Sequence, residues 1–313
     1  MFAKLKDNRK IYYDVYGSSE KLTAQDIKYK PTIVFIHGGP GFIDHTLYVS
    51  YWSRFQDICQ LVFIDLCGHG RSSYGDQYQW NLRQWAEDVY EFCKVTGIER
   101  PIIAGVSLGG WIAIQYGILY PNEARQIILC NTEAKVNVEW RKNAYIQIGK
   151  LRGKQQLGVE AAKVVENLAI QGDSEQSLKD YKEKCLPLFS DNPYSPSELA
   201  RCQIHPQAKK AELTPWKVFN EREYYKFNFL EDLYRINTPT LILAGDLDPE
   251  HPWQSAEEMA AKMQPDKVNL NIIPGAGDTV YRDKPEETER IIRSFINTPN
   301  LILIQATIFK CKL

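Results

Sequence analysis

The segment Pro101–Pro121, PIIAGVSLGGWIAIQYGILYP, places a serine between an apolar β-branched run and an apolar helical run, with glycines on both sides of it. Few folds accommodate that arrangement. A strand that passes directly into a helix at Ser107 leaves no room for side chains at Gly105 and Gly109. It also lifts the serine hydroxyl onto the first helical turn, where the helix dipole favours developing negative charge. The bland alternative is a serine that merely caps a helix after a strand. What surrounds the motif weighs against it.

Four short β-branched runs precede residue 133: PTIVFIH, LVFIDL, PIIAGVS and ARQIILCN. Helical patterns separate them. Over Asn81–Thr96 the apolar residues Leu82, Trp85, Val89 and Phe92 recur at three- and four-residue spacing, and Leu108–Tyr120 is stopped by Pro121. From 134 to 235 charge density rises and no β-branched run occurs, which predicts a helical insertion. The alternation then resumes with TPTLILAG, a helix over Trp253–Met263, VNLNIIPG and an amphipathic helix through Glu286–Ile296. This predicts an α/β fold: a doubly wound, mostly parallel sheet built from residues 1–133 and 236–297, with a helical cap at 134–235 and a C-terminal tail at 298–313. Open α/β sheets bind ligands at the carboxyl edge of their strands, so the cap would roof the pocket. The N-terminal MFAKLKDNRKIYYDVYG alternates around a DNRK turn and reads as a hairpin rather than a signal peptide. The terminal LILIQATIFKCKL is apolar but shorter than the roughly 20 residues of a membrane-spanning helix, so an extra strand or docked tail is expected.

Composition narrows the partners. With a formal net charge of -1 the chain lacks the basic face that nucleic acid or an anionic membrane requires, which leaves a small-molecule or short-peptide substrate. The seven cysteines are scattered and never form a CxxC pair, so neither a disulfide framework nor a zinc knuckle is expected, and reduced thiols in the cytoplasm are the simplest reading. No dinucleotide GxGxxG or metal-ligand cluster stands out, so neither cofactor nor metal is expected. Nothing in the sequence speaks to oligomeric state.

His37-Gly38-Gly39-Pro40-Gly41 follows a buried strand, and its small residues let a backbone N–H approach a substrate oxyanion. Gly39, paired with the N–H of Leu108, would form that hole, each donor contributing about 3–4 kcal/mol to the transition state. His37 is expected to brace the loop. Together HGGPGF, DLCGHGRSS, GVSLGG, LAGDLDPEHP and PGAGDTVYRD resemble the proline-iminopeptidase branch of the α/β-hydrolases, over nearly the whole chain up to Ile296. The resemblance implies an α/β-hydrolase fold with Ser107 as nucleophile and Asp248 as the acid of a GxxDxxxP pattern (Gly245, Asp248, Pro252). It also puts Asp278 where that branch has its catalytic histidine. There are further departures. Cys67 stands at a common arginine position, Leu108 at an aromatic one, and Pro249 where an acidic residue helps hold a substrate amine. Glu223 or Glu221 in the cap are the remaining candidates for that amine, against the plainer reading of solvated surface glutamates.

An aspartate is a poor substitute for histidine. Ordinary pKa values of about 3.9 and 6.5 differ by some 3.5 kcal/mol of driving force for removing the serine proton. Loss of a triad member leaves only about 10³–10⁴-fold catalysis from binding and the oxyanion hole. Three readings follow: a serine hydrolase of small esters, amides or amino-terminal peptide bonds with an atypical base; a lyase, cyclase or transferase that uses Asp248 and Asp278 for proton transfer; or a ligand-binding pseudoenzyme. His251, three residues beyond Asp248, and His205 in the cap are the candidates to replace the base. His45 and His69 are expected to be structural.

Overall fold

Strict alternation of side chains on the central strands creates two cores, one on each face of a sheet. The computed structural model describes residues 1–22, 27–41, 43–172, 174–190 and 214–298. Strands β1 (Phe2–Lys4) and β2 (Lys10–Tyr16) form the antiparallel N-terminal hairpin, and β3 (Glu20–Leu22) pairs with β4 (Ile27–Tyr29) as a separate ribbon. The remaining strands, β5 (Thr32–Ile36), β6 (Gln60–Ile64), β7 (Ile102–Val106), β8 (Gln126–Cys130), β9 (Thr240–Gly245) and β10 (Val268–Ile273), run parallel to one another. The eight-stranded sheet has the order β1-β2-β6-β5-β7-β8-β9-β10, so the chain winds outward from β5 in both directions. This is the doubly wound, mostly parallel α/β-hydrolase sheet that the sequence predicts.

The helices follow from the same alternation. Helix α1 (Thr46–Trp52) lies on the face formed by Ile33, Phe35, Ile102, Ala104, Ile128, Leu241 and Leu243. Helices α2 (Leu82–Thr96) and α3 (Leu108–Leu119) cover the opposite face, against Val34, Ile36, Ile103, Ile127, Leu129 and Ile242. Between β8 and β9 the chain forms α4 (Val138–Leu151), α5 (Gln155–Gln171), α6 (Glu175–Asp180) and α7 (Thr214–Phe219). Among the described residues this segment contributes no strand, only an isolated bridge between Lys135 and Asn228. It has a small core of its own, around Tyr145, Ala161, Val165, Leu168, Cys185 and Leu188. Helices α8 (Trp253–Lys262), α9 (Val280–Asp283) and α10 (Pro285–Asn297) complete the layers.

The β3–β4 ribbon and α1 are absent from the sequence reading. Helix α1, TLYVSYW, is rich in β-branched and aromatic residues and has weak helical propensity; burial of Tyr48, Tyr51 and Trp52 overrides it. His205, Cys202 and the tail from residue 299, with Cys311, lie outside the described residues. The other five cysteines are free and buried. Among the described residues no helix is long and apolar enough to cross a membrane.

The turn from β7 into α3 is where the fold is tightest. A Cβ at Gly105 would sit 2.1 Å from the carbonyl oxygen of Gly109, and a Cβ at Gly109 2.1 Å from that of Ile36. Strand β5, strand β7 and the first turn of α3 therefore touch backbone to backbone. Gly109→Ala is expected to lower stability by about 2 kcal/mol or more in denaturant unfolding, since the obstacle is backbone and cannot rotate away. Unchanged unfolding would show that this contact is not tight.

Candidate active site

Ser107 adopts φ 53° and ψ −118°, a conformation that costs a non-glycine residue free energy and persists only where the surroundings over-determine it. They do so here. Its N–H points at the carbonyls of Cys130 (3.2 Å) and Asn131 (3.1 Å), and its own carbonyl accepts from the N–H groups of Gly110 (2.8 Å) and Trp111 (3.1 Å) and the hydroxyl of Thr132 (3.0 Å). The neighbouring Leu108 is the first helical residue, so its N–H has no intrahelical acceptor.

The loop after β5 is braced as the sequence suggests. Leu66 N–H donates to His37 Nε2 at 3.1 Å, which fixes the ring proton on Nδ1 and turns it toward the Gly38 carbonyl. Gly38 N–H donates to the Tyr48 hydroxyl at 3.0 Å, and Gly39 takes φ 134°. His69 binds the Cys67 carbonyl through Nδ1. Burial lowers the pKa of both imidazoles, that of His69 to about 3, so near neutral pH they serve as neutral braces.

Asp248, on the loop after β9, is buried and locked. Its Oδ1 accepts the N–H groups of Glu250 (2.8 Å) and His251 (2.9 Å), and its Oδ2 accepts Asn131 Nδ2 (2.9 Å). Asp278, on the loop after β10, is partly exposed and gives its backbone N–H to the Phe189 carbonyl of the helical insert. The structure brings the two carboxylates together around His251. The imidazole Nδ1 lies 3.6 Å from Asp248 Oδ2 and 3.8 Å from Asp278 Oδ1, separations of an ion pair rather than a hydrogen bond. The ring is 2% exposed, neither nitrogen has a hydrogen-bond partner among the described residues, and its centroid is 6.2 Å from that of Trp111. Burial opposes a charge on His251, but Asp248, and after it Glu133, outweigh burial and raise its pKa above the ordinary value.

Asn131 is the residue that sequence reasoning missed. Its backbone carbonyl receives Ser107 N–H, its side-chain amide donates to Asp248 and to the Gly277 carbonyl (3.0 Å), and its side-chain oxygen accepts Val280 N–H (3.1 Å). One residue thus ties the serine turn, through its backbone, to the loops of Asp248 and Asp278, through its side chain. An asparagine just after a β-branched run carries no signal of this beyond tolerance of its φ of 43°.

A second buried network joins insert and sheet. Arg141 of α4 pairs with Glu133 and, at 2.6 Å, with Glu250; the hydroxyls of Tyr145 (2.8 Å) and Tyr224 (3.1 Å) donate to Glu250. A cavity of about 10 Å³, room for one water, lies among Arg141, Tyr181, Trp216, Tyr224 and Glu250. The glutamates proposed from sequence lie elsewhere. Glu223 accepts the N–H of Leu82 at 2.8 Å and so tethers the insert to the start of α2, and Glu221 is exposed. A larger cavity of about 220 Å³ is lined by Tyr90, Cys93, Arg100 and Tyr116 and contains none of these residues. Burial holds its one thiol, Cys93, up to about 12, far from a reactive thiolate.

Asp248, His251 and Asp278 have donor atoms within 4.8 Å of one another, as do Asp44, His45 and Asp65, spacings that a metal ion could also bridge. His45, however, uses Nδ1 on Asp65 and Nε2 on Asp14, which leaves no lone pair to give. Around His251 the two carboxylates favour a ring proton in the same place.

Removing Arg141 should expose the charge balance. Glu133 is fully buried, and burial raises its pKa despite the guanidinium. A raised folded-state pKa gives stability that is present at low pH and lost as pH rises. Arg141→Met, which takes away the counter-ion, is expected to cost about 3–5 kcal/mol at pH 8. The deficit should shrink toward pH 5 as Glu133 takes up a proton. Unfolding curves at both pH values check this, and a pH-independent deficit would contradict it.

Residues 31–285 match the alpha/beta hydrolase fold family. The chain is 25% identical over 270 residues to proline iminopeptidase PfmaB of Pestalotiopsis fici, covering 85% of this chain and 92% of that protein. It is 25% identical over 261 residues to the proline iminopeptidase of Clostridium botulinum, covering 82% and 85%. Among solved structures it is similar to a proline iminopeptidase of Mycobacterium smegmatis (TM-score 0.69, 16% identity, 96% of this chain and 99% of that one). It is also similar to a thermophilic esterase from Thermogutta terrifontis (TM-score 0.66, 18% identity, 96% and 100%). The strained serine between β7 and α3, the sheet order and the match over most of its length make one statement: this chain belongs to the alpha/beta hydrolase fold family and is an enzyme of that kind.

Proposed function

We propose that the protein is a serine hydrolase that cleaves a small ester, amide or amino-terminal peptide bond through Ser107. The observation that carries this reading is the backbone of Ser107, held at φ 53° by acceptors on β8 and donors on α3, as a nucleophile at a strand-to-helix turn requires. In this reading Ser107 Oγ attacks the substrate carbonyl carbon. The N–H groups of Gly39 and Leu108 receive the developing oxyanion, and an acyl-enzyme forms as the alcohol or amine departs. Water then attacks the acyl carbon, releasing the acid and regenerating the serine. Asp248 and Asp278, with His251 beside them, supply the acid/base side of the cycle.

Charge supports the choice of substrate. Among the described residues Asp248, Asp278, Glu133 and Glu250 gather around Arg141 and His251 beneath the insert, an acidic setting that suits a cationic group such as a free amine. The relatives named as proline iminopeptidases point the same way. The helices between β8 and β9 act as the cap, and five free buried thiols fit a reducing cytoplasm.

A panel of p-nitrophenyl esters and amino-acid β-naphthylamides, including the prolyl derivative, tests the assignment. Turnover that falls by at least about 10³-fold in Ser107→Ala is the expected result. Turnover that survives Ser107→Ala would move the chemistry to Asp248 and Asp278 and favour a lyase, cyclase or transferase. Binding of these compounds with no turnover at all would favour a pseudoenzyme.

A further inference from the structure

We infer that His251 is the proton acceptor for Ser107, a histidine supplied from the loop after β9 in place of the one missing after β10. This rests on the reading of Ser107 as nucleophile.

Three observations lead here. Both carboxylates lie on the Nδ1 side of the ring, Asp248 at 3.6 Å and Asp278 at 3.8 Å. A neutral imidazole so placed keeps its proton on Nδ1 and its lone pair on Nε2, the tautomer a general base needs. Nε2 itself is buried and makes no hydrogen bond among the described residues, an orphaned polar atom in a protein interior where almost all are satisfied. The ring also packs near Trp111, one turn along α3 from Ser107, so it adjoins the helix that carries the nucleophile. Catalytic hydrogen bonds commonly tighten only when substrate binds, so an open Nε2 in the free enzyme is consistent with the role.

The step balances simply. As Ser107 Oγ bonds to the carbonyl carbon its proton passes to Nε2; the imidazolium formed is stabilised by Asp248 and Asp278 and returns the proton to the leaving oxygen or nitrogen as that bond breaks. A water proton follows the same route in deacylation. Asp278 on this account stabilises charge and does not accept the serine proton. The charged groups facing His251 are Asp248 on its own loop, Asp278 after β10, Glu133 after β8 and Arg141 of α4, and in sum they favour the protonated ring.

The test is the rate of fluorophosphonate labelling of the full chain from pH 5 to 9, for the unmodified protein, His251→Gln, and His251→Gln with Asp278→His. The expected label lies on Ser107, with a rate that rises through one inflection at or above the ordinary imidazole value of about 6.5. His251→Gln should slow labelling by at least about 10²-fold, and the added Asp278→His, which restores an imidazole after β10, should recover it. His251→Gln labelled at the unmodified rate would overturn the inference and leave the serine reading intact. An unmodified protein without label on Ser107 would remove both. If His251→Gln fails to fold, the profile of the unmodified protein decides: a rate that is flat from pH 5 to 9 overturns the assignment.

Discussion

The candidate active site depends on a backbone contact rather than on a side chain. Strands β5 and β7 and the first turn of α3 approach until the carbonyl of Ile36 lies where a Cβ on Gly109 would be, and the strained conformation of Ser107 is the consequence. That strain is tolerable because the serine's N–H and carbonyl are bound from both sides, by the end of β8 and by α3. The same strand end supplies Asn131, whose amide fastens Asp248 and the Asp278 loop. The sheet thus delivers Ser107, Asp248 and Asp278 to one edge, each on a turn or loop that leaves a parallel strand at its carboxyl end.

Charge is the second constraint. A hydrolase of this fold with aspartate in place of histidine would bring two carboxylates together in a buried space, which is costly unless one is protonated or a cation intervenes. His251 is that cation or its neutral partner, and the same ring offers the Nε2 that the serine lacks. A parallel arrangement holds at the adjacent residue, where Arg141 stands between Glu133 and Glu250. Glu250 and His251 are consecutive, and both backbone N–H groups bind Asp248, so a single tight turn serves both charge clusters.

Much of this was legible in the sequence because period and local turn chemistry encode it. The six parallel strands, the helices α2, α3, α8 and α10, and the serine turn all follow from runs of β-branched residues and from glycines that nothing else explains. Helix α1 was not legible, since packing of Trp52 and Tyr51 rather than propensity makes it a helix. Asn131 and Arg141 were missed because their roles are set by partners more than a hundred residues away in Asp248 and Glu250, a relation with no local signature. Cys67, a departure from the related enzymes, gains a context in space. It lies beside Arg9, whose guanidinium is bidentate on Asp88 at 2.6 Å, so an arginine at position 67 would crowd a second cation against that pair. The position of His251 relative to Asp278 joins two loops, the residues 27 positions apart, and spacing alone could not distinguish it from a structural histidine.

The most direct test of the account is rapid acid quenching during turnover of a p-nitrophenyl ester, followed by intact-mass measurement and peptide mapping. An acyl group carried by Ser107, absent from Ser107→Ala, is the predicted result. Steady turnover with no acyl-enzyme, or with the acyl group on another residue, would contradict the central claim that the strained serine is the nucleophile.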